Sequence, residues 1–238
     1  MKKRRHKTGE KFWNKSYGRK KGEYLTLSTT PSEDLQKFTR WLEREYGRIY
    51  LNPMASALDV GCGNGRNLLY LTREFGMRGV GYDISREAIK QAQALSVGLP
   101  LSYTVRSFAE PIPLPDASQT LVLDMMASHF LRESEREALR KEIARVLRPE
   151  GWFFFKTFLL DEDDHARRLL RDHPADEPGS YIHPEIGTLE HVSTEAEIER
   201  TLGEHFIIHK INTSHRHLRQ GRAFKRRSIS VFAQKKPV

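Results

Sequence analysis

Ala57-Leu58-Asp59-Val60-Gly61-Cys62-Gly63-Asn64-Gly65-Arg66-Asn67 is the stretch whose reading decides the fold. An apolar run enters a loop with glycine at every second position, and a helix-compatible segment follows. Glycines let a backbone turn tightly and let a ligand approach its peptide groups. The start of the following helix adds free N–H groups and the positive end of the helix dipole. A dinucleotide fingerprint needs its third glycine at position 66. Arg66 stands there, and the third glycine is Gly65. Asp59, just ahead of the loop, suits a ligand with a positive amine better than a pyrophosphate. A second apolar run, Gly79–Asp83, ends in a carboxylate placed to accept hydrogen bonds from both ribose hydroxyls of a nucleoside.

Working outward, the same rhythm repeats. Strands are expected at Ala55–Val60, Gly79–Asp83, Leu101–Arg106, Thr120–Met126 and Trp152–Leu160. Helices are expected at Arg66–Phe75, Arg86–Leu95 and Glu133–Leu147. Two further strands, about Phe206–Asn212 and Ser228–Ala233, close the chain after a helix near 194–203 capped by Ser193 or Thr194. Alternating strands and helices with short connections predict an α/β fold: a doubly wound, seven-stranded, mostly parallel, Rossmann-like sheet. Upstream, Thr30-Pro31-Ser32-Glu33 reads as a capping box with Thr30 as N-cap, opening a helix to about residue 47. Residues 1–29 read as a basic, conditionally ordered arm, and residues 30–238 as the domain. Residues 161–192 read as an irregular insertion over the ligand pocket. Asp161-Glu162-Asp163-Asp164 within it reads as a helix start, since acids favour the first turn, and no metal is expected there.

No apolar run reaches the roughly 20 residues that span a bilayer, so no membrane partner is expected. Cys62 is the single cysteine, which excludes an intrachain disulfide and suits a reducing cytoplasm. The charge is uneven. Residues 1–21 hold ten Lys or Arg against Glu10 alone, and residues 205–238 hold nine with no acid. The remaining residues carry 21 basic and 30 acidic side chains. Such asymmetry points to a polyanionic partner or to solubilising ends.

Leu58–Gly65 resembles motif I of the class I S-adenosylmethionine-dependent methyltransferases, and Gly81-Tyr82-Asp83-Ile84-Ser85 resembles their ribose-binding motif II. Pro113–Asp116 with the strand after it, and Arg145–Gly151, are similar to the family's segments around its fourth and fifth strands. The resemblance covers about residues 55–160. It implies S-adenosyl-L-methionine as cofactor, with Gly61 and Gly63 on the methionine portion, Asp83 on the ribose and Ile84 against the adenine. The wider cofactor set assigned on this reading is Asp59, Cys62, Asn67, Phe108, Ala109, Asp124 and Met125. One position departs from the family: Phe108 stands where an acid near the adenine amino group is usual. Trp13 and Tyr17 resemble an N-terminal lid.

Methyl transfer from a sulfonium is an in-line displacement, so catalysis is mainly alignment and exclusion of water. His129, after the fourth strand, is the candidate base; its alternative is a structural role in the strand–helix turn. Asp124 is a second candidate, or a cap for the same turn. His183, Glu190 and His191 are candidate lid residues. In the class I topology the hairpin at 215–227 falls at the ligand-binding end of the sheet, and with the arm it would place basic charge on both sides of the pocket. That slightly favours RNA as acceptor, with Arg219 and Arg222 among the contacts. A small-molecule acceptor and a non-catalytic nucleic-acid-binding module are the alternatives. The oligomeric state is open.

Overall fold

The computed structural model describes residues 2–18, 28–215, 218, 219, 222, 223 and 226–237, with side chains omitted for 2–8 and 216–225. The central sheet has seven strands: β1 (Ser56–Val60), β2 (Arg78–Asp83), β3 (Leu101–Val105), β4 (Gln119–Met125), β5 (Leu147–Phe158), β8 (Phe206–Thr213) and β11 (Ser228–Lys235). Their spatial order is β3-β2-β1-β4-β5-β11-β8. The first five are parallel, and β11 runs antiparallel to both neighbours. The chain leaves β1 toward β2 and β3, then returns to place β4 on the other side of β1. That reversal opens a crevice at the carboxyl ends of β1 and β4, where ligands of such sheets bind.

Side chains that alternate along each strand sort into two cores. One face carries Ala57, Leu121, Leu123, Trp152, Phe154 and Phe232 under α2 (Glu33–Tyr46), α3 (Arg66–Phe75) and α4 (Arg86–Leu95). The other carries Leu58, Val60, Val122, Phe153, Ile229 and Val231 under α5 (Glu133–Val146) and α7 (Glu195–Gly203). In α2 the buried residues Leu35, Phe38, Thr39 and Leu42 fall at helical spacing. The Phe38 ring stacks on Phe154, centroids 5.0 Å apart, and meets Phe232 edge-on at 4.9 Å. Burying a side chain of that size stabilises by about 1.5–3 kcal/mol, which fixes α2 and hence the segment before it beside the crevice.

Three expectations change. The N-terminal arm contains a helix, α1 (Lys2–Gly18), because Trp13 and Tyr17 find apolar and loop surface to cover. Ser32 rather than Thr30 is the N-cap of α2; its hydroxyl makes no capping bond, while its N–H donates to Asn67 Oδ1 at 3.2 Å. The Thr30 hydroxyl instead bonds that of Ser28. Residues 161–192 are not irregular: they hold α6 (Asp164–Asp172), and an antiparallel pair of β6 (Ser180–Ile182) and β7 (Leu189–His191). Asp163 caps α6 by accepting from His165 N and Ala166 N, the helix-start role its acidic run suggested. Thr194 caps α7. A second short pair, β9 (Leu218–Arg219) with β10 (Arg222–Ala223), lies between β8 and β11. No helix among the described residues is long and apolar enough to cross a membrane.

Candidate functional site: a cofactor cavity at the switch point

A cavity of about 320 Å³ occupies the crevice. Its size falls in the usual range for ligand pockets, about 300–1,000 Å³. Gly61, Cys62, Gly63, Asn64, Arg66 and Asn67 form one wall, after β1. Asp83 ends β2 and Ile84 follows it, Ser107 and Phe108 follow β3, and Met125 ends β4 with Met126 and Ala127 after it. Gly9, Trp13 and Tyr17 of α1 lie across it, with Phe130, Leu131 and Thr188 beside them.

The loop geometry depends on its glycines. Gly61 has φ +75° and Gly63 φ +55°, a region that side chains disfavour. A Cβ on Gly61 would lie 2.4 Å from Ala127 Cβ, and one on Gly63 would lie 2.3 Å from the Tyr17 hydroxyl. The loop is thus sandwiched between β4's end and the α1 lid. The N–H groups of Gly61 and Cys62 both donate to Tyr82 O, at 2.8 and 2.9 Å, tying the loop to β2. Asp83 completes the tie: Oδ2 accepts from Gly63 N at 2.9 Å, and Oδ1 from Ser85 N at 2.8 Å. Burial raises the Asp83 carboxyl above its ordinary value, while these backbone donors pull it down. Each oxygen keeps a further lone pair for a ribose hydroxyl.

The lid is held by its own polar contacts. Asn14 Oδ1 accepts from Ser85 Oγ at 3.0 Å and Glu87 N at 3.3 Å, and Gln91 Nε2 donates to Tyr17 O at 2.7 Å. Trp13 meets Phe130 edge-on at 5.7 Å. Met126, at φ +62°, is a non-glycine residue in left-handed backbone at the cavity wall. Such backbone costs of order 1–3 kcal/mol and concentrates at functional sites; here it turns the chain sharply out of β4. Burial pushes the Cys62 thiol well above its usual range, so it lines the cavity as an inert group.

Ten of the residues expected from sequence stand at the cavity: Trp13, Tyr17, Gly61, Cys62, Gly63, Asn67, Asp83, Ile84, Phe108 and Met125. Others do not. Asp59 is buried behind the loop, and neither carboxylate oxygen has a hydrogen-bond partner among the described residues. Burial and the Asp83 charge push its carboxyl well above the normal range, against the pull of Arg66. Ala109 lies beyond the wall, next to Phe108. Asp124 points away and accepts from Ser128 N at 3.1 Å; it is the cap of the turn after β4. Burial raises its carboxyl to about 6.

His129 is also off the cavity. It sits in a single 3-10 turn, Ser128–Phe130, buried, with its ring 4.2 Å from Phe130 and 5.3 Å from Phe158. Burial depresses it to about 4, against the pull of the Glu190 charge. A neutral, enclosed imidazole here packs the turn and does not line the cavity. Among the lid candidates, His183 Nδ1 accepts from Glu185 N and Ile186 N, closing the hairpin loop. Glu190 accepts from Tyr181 Oη and Arg226 Nη1 inside the lid. His191 bonds Ser180 Oγ and Glu197 Oε1, each at 2.9 Å. These three build the hairpin, and its contribution to the wall is Thr188, whose buried Oγ1 has no partner among the described residues. Ser28, Ser32, Ser107, Lys156 and Thr188 are lining residues that the sequence reading did not single out. No local motif marks them, because they come from loop ends and one strand position brought together by folding. Of the expected basic contacts, the side chains of Arg219 and Arg222 lie outside the described residues.

Here the glycine cradle, the carboxylate at the ribose position and the unpartnered acid behind the loop fit a sulfonium nucleoside with an amino-acid tail. Comparison with known proteins agrees. A family described as a methyltransferase domain matches residues 58–155. The chain is 29% identical over 131 residues to an O-methyltransferase, resE, of Aspergillus sclerotiorum, a match covering 54% of this chain and 50% of that protein. It is 37% identical over 99 residues to phthiotriol/phenolphthiotriol dimycocerosates methyltransferase 1 of Mycobacterium ulcerans, covering 41% and 35%. The matched region thus spans half or less of these curated relatives. A SAM-dependent methyltransferase structure from Methanosarcina mazei superposes with TM-score 0.67 at 25% identity, over 79% of this chain and 96% of that one. The 1,6-didemethyltoxoflavin N1-methyltransferase of Burkholderia thailandensis, solved with its substrate and S-adenosylhomocysteine, shares the fold at TM-score 0.66 and 20% identity, over 97% and 88%. With the sheet order, the loop and the family match in agreement, residues 58–155 are a methyltransferase domain on a class I, Rossmann-like fold, and S-adenosylmethionine is its cofactor.

Proposed function

We propose that this chain methylates a small acceptor with an apolar body. The observation that supports this most is the composition of the cavity wall away from the glycine loop. Trp13, Met125, Met126, Phe130 and Leu131 face one space beneath α1. Apolar walls with a few convergent polar groups are the pattern of small-ligand sites. Two of the relatives named above, the phthiotriol/phenolphthiotriol dimycocerosates and the 1,6-didemethyltoxoflavin methyltransferases, carry a lipid or a small molecule in their names, which favours the same class here.

S-adenosylmethionine, when bound, supplies an electrophilic methyl group on a sulfonium. The chain's own residues do the rest. The glycine loop at Gly61–Gly63 would face the methionine portion and the Asp83 carboxylate would hold the ribose at the switch point. Trp13 and Tyr17 keep water from the reacting atoms. The apolar wall orients the acceptor for in-line attack, a contribution that positioning alone makes large. Thr188 Oγ1 and Lys156 are polar groups at the wall that can meet an acceptor's polar end. His129 and Asp124 take no part.

A polyanion such as RNA is the second reading. The basic N-terminal segment belongs to the helix that covers the cavity, which favours it. Against it, two arginines of the basic hairpin serve the interior. Arg226 lies 3.7 Å over the Phe158 ring and bonds Glu190. Arg227 donates to Asp161 O, Glu162 and Ser214 O. The test is calorimetry with S-adenosylhomocysteine, then cofactor-dependent methylation of a metabolite extract and of total RNA across a salt series. Binding of the nucleoside with methylated small molecules is expected. Methylated RNA whose yield falls steeply with salt would replace this acceptor class. Absence of nucleoside binding would leave only a non-catalytic module.

A further inference from the structure

Lys156 sits toward the end of β5, where its Cα partner across β4 is Met125 and across β11 is Ser230. Its side chain reaches the cavity wall. Its ammonium bonds Asp34 Oδ2 at 2.5 Å, an ion pair between β5 and the first turn of α2 with side chains only 20% and 24% exposed. Burial by itself would raise the Asp34 carboxyl; the hydrogen bond and charge of Lys156, and after them those of Lys37, outweigh it and hold it below its usual value. Beside the pair, Ser32 also lines the cavity and caps α2 without a side-chain capping bond. The amino end of a 14-residue helix therefore faces the same corner, with free N–H groups and the positive end of its dipole.

Of the other charged groups at the wall, Asp83 is bound to the loop and Arg66 acts on the buried Asp59. Lys156 and the α2 terminus are thus the positive feature at the end of the cavity away from the ribose position. Neighbouring strands lie about 4.8 Å apart, so β5 is about 10 Å from β1 and its loop, and about 15 Å from β2. Asp34 Oδ1 also pairs with Lys37 Nζ at 3.4 Å, and a partly buried ion pair returns little net stability. A pair set at a cavity wall can exchange its internal partner for a ligand.

Resting on the methyltransferase reading above, we propose that Lys156, backed by the amino end of α2, is a carboxylate-binding site of this cavity, with Asp34 as the internal group that the ligand's carboxylate displaces or joins. One negative charge suits it: a single ammonium shared with Asp34 cannot neutralise a phosphate dianion. Its position across β4 from the glycine loop favours the acceptor as the source of that carboxylate. The cofactor's own amino-acid carboxylate is the other source.

The test uses the full chain saturated with S-adenosylhomocysteine and titrated calorimetrically with benzoate and decanoate, against benzamide and decanamide. The acids are expected to bind about ten- to a hundredfold more tightly than the amides, the range of a charged hydrogen bond. Lys156→Met should abolish that preference and Asp34→Asn should increase it, because the ammonium loses its internal rival. A second titration compares S-adenosylhomocysteine with 5′-methylthioadenosine, which lacks the carboxylate. If Lys156→Met weakens the first and spares the second, the site stands with the cofactor as its source. Acids and amides binding alike, with both nucleosides unaffected by Lys156→Met, would overturn the site while the methyltransferase reading survives. If the wild type binds neither nucleoside, both fall. Should Lys156→Met fail to fold, Asp34→Asn decides, and an unchanged preference for acids overturns the proposal.

Discussion

The two ends of the cavity are built by different means. At the cofactor end, backbone groups do most of the work: Gly61 N, Cys62 N and Gly63 N all bond residues of the next strand. At the lid, long side chains meet across the fold. Arg226, from the end of the last hairpin, reaches Glu190 and Tyr181, and Glu197 of α7 reaches His191. Backbone sites constrain residue type through conformation and space, so they leave a spaced pattern of glycines. Side-chain networks constrain only complementary charge and reach, which leaves no pattern along the chain.

That contrast can be broken by experiment. The largest effect is expected in the lid. Arg226→Met leaves the buried Glu190 carboxylate without its cation, and removing one partner of such a pair costs about 3–5 kcal/mol. Thermal or urea unfolding should show that loss, and adding Glu190→Gln should recover much of it. A wild-type midpoint in the single variant would mean that the lid is held by its apolar contacts alone.

Next comes Asp124. Its folded carboxyl lies at about 6 against an ordinary 3.8. A raised acid binds its proton more tightly in the folded state. The stability it contributes is therefore greatest below the ordinary value and is lost as pH rises to the folded one. Relative to Asp124→Asn, which keeps an acceptor for Ser128 N, wild-type stability should fall by about 2–3 kcal/mol between about pH 4 and 6. Equilibrium unfolding at several pH values measures the difference between the two proteins. A flat difference would show that the carboxyl is solvated, contrary to its burial.

The smallest effect belongs to the cofactor end. Asp83→Ala should weaken S-adenosylhomocysteine by about 1–3 kcal/mol through lost ribose hydrogen bonds, with stability changing less than in the lid variant. Calorimetry gives the first quantity and unfolding the second. Unchanged affinity would mean that the ribose lies elsewhere, and the cofactor end would lose its defining contact.

Reading the sequence recovered the seven strands and the cofactor loop because each rests on local chemistry. An apolar run, a glycine spacing and a terminal carboxylate are all visible within a few residues. It gave His129 to the site as an imidazole after the fourth strand, and Glu190 and His191 as polar residues of the segment expected over the pocket, and neither type nor place along the chain says which way a side chain faces. His129 lies next to the lining residue Phe130, yet one step round the 3-10 turn carries it from the wall into the interior. It passed over Lys156 for the converse reason. A lysine in the apolar run Trp152–Leu160 looks like an outward-facing strand residue, until α2 packs beside it and supplies Asp34.

The sequence by itself determined the seven strands of the central sheet and the helices α3, α4, α5 and α7, the loop between β1 and α3, and the carboxylate at the end of β2. All follow from hydrophobic period, glycine conformation and helix capping, which act over short separations. Only the tertiary structure decided which polar groups face the cavity and which are spent on one another. Lys156 with Asp34 and Arg226 with Glu190 are separated by 122 and 36 residues, and no short-range force brings such partners together. Burial of the two cores does that, and the charges find their partners where the packed elements leave them.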